Sequence, residues 1–412
     1  MLGWRSMAAK SGTCQSNRSD GPPPESQKTK ADTTGEKKGC RVSSNPLHTK
    51  ICDMFGIEFP IFAFSHCKDV VAAVTNAGGF GVLGELGRSP DEIAQDSEWL
   101  RERVGDKPFG LDLVFPASVP TGTPTMEELK AQIPAGHAAF MDRVFEEHGI
   151  PRPSQQVEAG GVSRGGLYSQ EVARKQMEAA LDTRVPFIAS GLGLPAFAVD
   201  AAHARGIKLG ALVGRVRQAR RALEAGIDVI IAQGYDAGGH TGEVGTFTLV
   251  PRVVQISGDT PVLLAGGVGT GAHVAAALCL GASGVWTGSI WLASRESNLN
   301  MKLKERLIEA TEEDTVRSRA LTGKPAHQLR NRFNQLFEDP ANPKPLPMPL
   351  QGILTAELQA AIRENEMVEW MGTPLGQMVG NITEVKPCAE IVLDLVEGAL
   401  ETLEGIGQLV PV

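Results

Sequence analysis

From residue 48 onward, short apolar runs alternate with amphipathic stretches, and this rhythm limits the fold more than any other feature of the chain. The strand-like runs are Pro60–Phe64, Phe80–Leu83, Phe109–Val114, Phe187–Ala189, Lys208–Val213, Val229–Ala232, Pro261–Ala265 and Gly284–Thr287. They are mostly continuous in apolar residues, the pattern of strands covered on both faces in a parallel sheet. Helix-like segments lie between them. Asp69–Ala77 stops at Gly78-Gly79, Ala196–Ala204 at Gly206, Arg215–Ala225 at Gly226, and Gly271–Leu280 at Gly281. Glycine just past the last turn is an expected stop signal. Pro90–Val104 carries its acidic residues early, where the helix dipole favours them. Eight such units predict an α/β protein closed into a (β/α)8 TIM barrel; an open doubly wound sheet is the alternative.

The 412 residues hold more than one barrel of about 250 residues requires. Residues 1–47 are polar and read as a disordered tail. Residues 48–300 read as the barrel, interrupted after strand three by an insertion over 116–184. That insertion has a Pro-Thr-Gly-Thr-Pro turn at 120–124, a loop-like stretch at 151–166, and expected helices near 126–148 and 169–182. Its place at the catalytic end of a barrel predicts a lid. Residues 301–412 read as a mainly helical C-terminal appendage. A strongly helical stretch at 296–320 precedes an extended Pro340–Pro349 and helices near 353–371 and 387–404.

Composition excludes several classes. The net charge is −8 and no long basic stripe exists, so the electrostatic footprint of a nucleic-acid binder is missing. Arg215, Arg217, Arg220 and Arg221 fall on the outer, solvated face of one helix. Cys14, Cys40, Cys52, Cys67, Cys279 and Cys388 are scattered and form no C-x-x-C pair. That argues against a disulfide framework and for a reducing, cytoplasmic setting. No apolar run nears the roughly 20 residues that span a bilayer, and the first 45 residues lack a secretory apolar stretch.

The densest chemical signal is Ile231-Ala-Gln-Gly-Tyr-Asp-Ala-Gly-Gly-His240-Thr-Gly242. An apolar strand ends there in a glycine-rich turn, which a barrel would place on its catalytic face. Gly238 and Gly239 let the backbone approach a ligand. His240, with a side chain that titrates near neutrality, is the leading candidate for proton transfer. The bland alternative is a histidine that caps the turn.

A second signal is Leu264-Ala-Gly-Gly-Val-Gly-Thr-Gly271, followed by Trp286-Thr-Gly-Ser289. Gly266, Gly267, Gly269, Gly288 and Ser289 are candidates to hold a phosphate with backbone N–H groups at a helix N-terminus. The run Gly79-Phe-Gly81-Val-Leu-Gly84 fits G-x-G-x-x-G, but its glycines pass through a strand instead of following one, so it is not read as a dinucleotide fingerprint. His66 and Cys67 sit after strand one; adjacent residues rarely align as nucleophile and base. Asp112, in the apolar Gly110-Leu-Asp-Leu113, needs a ligand or a buried partner, because an unpaired buried charge is costly.

These residues resemble a known family. Ala232-Gln-Gly-Tyr-Asp-Ala-Gly-Gly-His-Thr-Gly242 is similar to the A-Q-G-x-E-A-G-G-H-x-G segment of nitronate monooxygenases. Pro261–Val268, Leu280–Gly288 and Asn76–Gly81 resemble further blocks of that family, in the same order over roughly residues 50–300. The resemblance implies FMN in the barrel, with its phosphate at the strand seven and eight loops. It implies that His240 acts beside the flavin, with Gln233 and Gly234 close to the cofactor; Asp112 joins the cofactor-binding candidates by its own place in an apolar strand. The implied reaction is oxidation of an alkyl nitronate by FMN and O2 to a carbonyl compound and nitrite. A homodimer is expected separately from the resemblance. The departures are Ala63-Phe-Ser-His66 in place of Q-x-P-M, Asp236 in place of the glutamate, and Gly288-Ser289 in place of Gly-Thr. The insertion and Pro374-Leu-Gly-Gln-Met-Val-Gly380 suggest a divergent subgroup. The rival readings are an FMN-dependent, nicotinamide-driven enoyl-thioester reductase, a flavin-free phosphate-binding barrel, and a non-catalytic flavin binder. Lys208 opens a strand at the wrong end of a barrel to serve the flavin-free reading.

Overall fold

The computed structural model of the protein describes residues 45–115, 125–155, 170–191, 193 and 196–409. The expected tail up to residue 44, the 120–124 turn and most of the 151–166 loop lie outside them. Eight parallel strands close into a barrel in sequence order: β1 Ile61–Ser65, β2 Phe80–Gly84, β3 Gly110–Val114, β4 Phe187–Gly191, β5 Lys208–Val213, β6 Val229–Gln233, β7 Val262–Ala265 and β8 Gly284–Thr287. β1 pairs with both β2 and β8, so the sheet has no free edge. The alternative open sheet is thereby excluded.

The helices are α1 Lys50–Phe55, α2 Lys68–Asn76, α3 Pro90–Val104, α4 Met126–Lys130, α5 Ala135–Glu147, α6 Gln170–Asp182, α7 Ala196–His203, α8 Val216–Glu224, α9 Thr246–Ser257, α10 Gly271–Cys279, α11 Met301–Glu309, α12 Arg332–Leu336, α13 Leu350–Glu364 and α14 Cys388–Leu409. The start of α3 follows from its sequence. Ser89 Oγ accepts the Glu92 N–H and the Glu92 carboxylate accepts the Ser89 N–H, a reciprocal capping box with Pro90 at the first position.

The barrel is filled, not hollow. Phe62, Phe80, Val82, Phe187, Val229, Ile231, Leu263 and Trp286 form its interior, and Phe55 of α1 plugs the N-terminal end against Phe62, Phe80 and Phe187. Small residues on neighbouring strands make room for these rings: a Cβ on Gly210 would lie 2.4 Å from Phe187. Leu47 is fully buried, so the folded body begins a few residues before the expected boundary at 48.

Four expectations need correction. The single helix near 126–148 is two, α4 and α5, because Pro134 cannot continue the first. The second insertion helix, α6, packs on α3 and β3 and is the ordinary barrel helix after β3. The helical stretch at 296–320 ends at Glu309. Thr315–Ser318 is instead a strand, β9, antiparallel to β10, Ala326–Leu329. Thr311 starts a tight turn there, its N–H donating to the Asp314 carboxylate, and β-branched Thr315 and Val316 then favour the extended chain.

Finally, α14 is no appendage. It packs against both α10 and α2, the place of the eighth barrel helix. The segment between β8 and α14 is therefore an insertion within the last β-α unit, and no domain boundary falls at residue 300.

An ion cluster sits outside the barrel wall at the end of β2. Glu85 is 1% exposed, and neither of its carboxylate oxygens has a hydrogen-bond partner. Arg88 comes only to 3.9 Å and is itself drawn to Glu92 at 3.0 Å and Asp96 at 3.3 Å. Burial, reinforced by Asp96, pushes the Glu85 carboxyl up from 4.5 to about 8. A raised carboxylate pKa means that the folded state holds the extra proton. Stability should therefore fall as pH rises from about 4.5 to about 8. Glu85→Gln should flatten that slope and raise stability at the alkaline end by on the order of 1–3 kcal/mol. Thermal melts of both forms across this window check it; parallel curves would contradict it.

Candidate active site

The β6 loop is built on close backbone contacts. Gly234 donates to Ala265 O at 2.9 Å, and a Cβ on it would fall 2.1 Å from Thr246 Oγ1. The Asp236 carboxylate accepts the Thr246 N–H at 2.8 Å, so this residue caps α9 and holds the loop against it. Gln233 closes β6 beside Ala265 of β7.

His240 follows from that loop. Its Nδ1 lies 3.1 Å from Pro325 O. A carbonyl can only accept, so Nδ1 carries the proton and Nε2 of the neutral ring is left as the acceptor. Thr322 Oγ1 stands 3.5 Å from Nε2. Burial, and then the Lys324 charge, hold the imidazole below its ordinary pKa against the opposing Pro325 hydrogen bond. The ring is thus a neutral base at pH 7, with its lone pair on a known atom.

Pro325, Thr322 and Lys324 all lie in the connection between β9 and β10. That hairpin is fastened to the β6 loop by a backbone bridge, with Gly239 N–H to His327 O at 3.0 Å and His327 N–H to Gly239 O at 2.8 Å. His327, 2% exposed, donates from Nδ1 to Ala237 O at 3.1 Å and meets the Tyr235 ring edge-on. Sequence reading missed this whole contribution, since it joins residues more than 80 positions apart by backbone bonds. The turn signal Thr322-Gly-Lys-Pro325 was its only trace.

The phosphate candidates divide into two groups. Gly266 and Gly267, after β7, both take positive φ, +106° and +78°. Both lie in the turn that joins β7 to α10, in conformations that residues with side chains rarely adopt. A Cβ on Gly267 would meet nothing nearer than Asp236 Cβ at 3.7 Å, so space remains beside it. Gly269 and Ser289 are instead covered by the 374–381 segment, as is Gly238 of the β6 loop. A Cβ on Gly238 would lie 2.9 Å from Gly376 N and one on Gly269 2.7 Å from Met378. Ser289 Oγ accepts the Gly376 N–H at 2.9 Å, leaving only its own proton to donate. A Cβ on Gly288 would meet only Phe64, at 3.9 Å.

Asp112 stands apart from these residues, across the barrel on β3. Its neighbours Leu111 and Leu113 belong to the outer core, so the strand's alternation turns Asp112 inward, above the interior rings. It is 6% exposed, and Oδ1 has no partner among the described residues. Burial pushes its carboxyl up to about 7. His66 lies nearby: its Nδ1 donates to Gly84 O at 2.8 Å, and Gly84 pairs with Asp112. Cys67 faces elsewhere, its thiol bonded to Glu296 O at 3.3 Å, so His66 and Cys67 form no nucleophile–base pair. The glycines of 79–84 run through β2, not through a turn after it.

Eight parallel strands closed in sequence order make this a TIM barrel, with Asp112 on β3, His240 in the loop after β6 and the Gly266-Gly267 turn after β7. Residues 48–398 match the nitronate monooxygenase family, and the chain belongs to that family of flavin-dependent oxidoreductases. A Mycobacterium tuberculosis protein carrying a monooxygenase name is 41% identical, covering 88% of this chain and 98% of its own length. A Staphylococcus saprophyticus protein named as a probable nitronate monooxygenase is 29% identical over 80% of this chain and 92% of its own. Among solved structures, FabK from Thermotoga maritima is similar with a TM-score of 0.67 at 28% identity, covering 88% of this chain and 99% of that one. A nitroalkane oxidase from Streptomyces ansochromogenes has a TM-score of 0.72 at 24% identity, with 86% and 99% covered, and shares the fold. No helix among the described residues is long and apolar enough to cross a membrane.

Proposed function

We propose that this protein binds FMN and oxidises alkyl nitronates, and the nitroalkanes they derive from, with O2, giving a carbonyl compound and nitrite. The observation that carries the reading is the state of His240: neutral, with Nδ1–H tied to Pro325 O and Nε2 left to accept a proton. Abstracting the α-proton of a nitroalkane requires such a base, and a nitronate has already lost that proton.

The residues present fit a phosphorylated flavin. Gly266 and Gly267 would give their N–H groups to the phosphate, with the Ser289 hydroxyl as a further donor. Asp112, whose Oδ1 has no partner among the described residues, would supply a polar contact to the group. Gln233, Gly234, Gly239 and Gly288 would line its approach. When bound, FMN supplies the two-electron chemistry and the reaction with O2. The chain's own part is to position the substrate, to take up its proton at His240 Nε2, and to hold that imidazole in one tautomer.

The test is aerobic turnover of a small alkyl nitronate, with nitrite and carbonyl compound quantified. Nitrite formed in step with the carbonyl supports the reading. A protein inert to nitronate but oxidising reduced nicotinamide with an enoyl thioester would overturn it, and the shared fold with an enoyl reductase domain makes that the comparison to run.

A further inference from the structure

We propose that Lys324 is the anion-recognising residue of this site, holding a small, flat oxyanion head against His240. The inference rests on the functional reading above and names the part of the substrate that the protein grips.

Lys324 is flanked by the two residues that engage the imidazole, Thr322 at Nε2 and Pro325 at Nδ1. Its own N–H donates to Thr322 Oγ1 at 3.2 Å. The turn that presents it is fixed. Gly323 takes a φ of +83° and donates to Arg319 O at 2.9 Å, while Arg319 Nε donates to Gly323 O at 2.8 Å. Gln351, fully buried, donates to Ala320 O at 2.8 Å from below. The backbone of the turn is therefore fixed before any ligand arrives, and it roots the Lys324 side chain between the two residues that engage His240.

Lys324 is half-buried and, among the described residues, makes no ion pair. Arg317 keeps a buried Nε without a partner among the described residues, but the other end of its guanidinium is engaged. Arg317 reaches Thr241 O at 3.2 Å and Glu243 at 3.7 Å, and Arg215 lies 3.8 Å from the same glutamate. Burial already lowers the proton affinity of Lys324, and its charge is felt at His240. A partly desolvated ammonium without a carboxylate is unfavourable until an anion completes it. A nitronate spreads one negative charge over two oxygens of a planar group, and an ammonium can bond both.

Nitrate, flat and singly charged, is the probe. Calorimetric titration of the purified protein with nitrate should show binding that weakens about tenfold or more in Lys324→Met. Lys324→Arg should keep most of it, since the charge is restored. The methionine preserves the apolar stem, and unchanged thermal midpoints in both variants establish that they are folded. Nitrate binding that is equal in wild type and folded Lys324→Met, or absent in wild type, overturns the proposal. Lys324-dependent nitrate binding in a protein that never oxidises nitronate would instead leave this site standing and remove the nitronate reading.

Discussion

Replacing His240 with Asn should lower turnover of a neutral nitroalkane by about two to four orders of magnitude, while bound flavin is retained. Preformed nitronate should suffer far less, because no proton remains to be taken from carbon. The asymmetry follows from one hydrogen bond. Pro325 O fixes the proton on Nδ1, and an asparagine offers no basic atom where Nε2 stood. The pH profile carries the same signature. The imidazole is held below its ordinary value, so activity on neutral substrate should be flat through neutrality and fall only as acid protonates the ring. Paired assays of both substrates on both proteins check this. Equal losses on the two substrates, or none on the neutral one, would remove His240 as the base.

A chain ending at Pro387 should fail to give a folded barrel. Ile391, Val392, Leu395 and Val396 of α14 are buried, and at about 1.5–3 kcal/mol each their loss removes roughly 6–12 kcal/mol. That is comparable with the whole stability of a domain. The contact with α10 is close: a Cβ on Gly271 would lie 2.3 Å from Ala399 N, so Gly271→Leu should separate the same two helices from the other side. Circular dichroism and thermal melts of both variants test this. A truncated protein that melts like the full chain would return α14 to the status of an appendage.

The barrel was legible because its strands are buried on both faces. Val229–Ala232 and Lys208–Val213 are nearly continuous apolar runs, and the glycines after the helices mark where each unit turns. His240 was legible because a glycine pair precedes it on a strand's C-terminal end. The groups that surround it were not. Thr322, Lys324 and Pro325 reach the imidazole through a hairpin whose register depends on the Gly239–His327 bridge, and backbone bonds of that kind leave no residue pattern. Thr315–Ser318 was read as helix because it follows nine helical residues without a proline or glycine between them. The role of Pro374–Gly380 was equally hidden. Its Gly376 packs on Gly238 and Ser289, a contact between loops 87 or more residues apart. Glu85 gave no sign at all, since a glutamate after an apolar strand ordinarily reaches solvent.

The most direct test of the account is the visible absorbance spectrum of the purified protein, recorded before and after anaerobic addition of a small alkyl nitronate. The account predicts a flavin spectrum, FMN on release by denaturation, and bleaching of the visible bands by nitronate alone. A flavin spectrum that ignores nitronate, or a protein that neither holds nor takes up flavin, would contradict it.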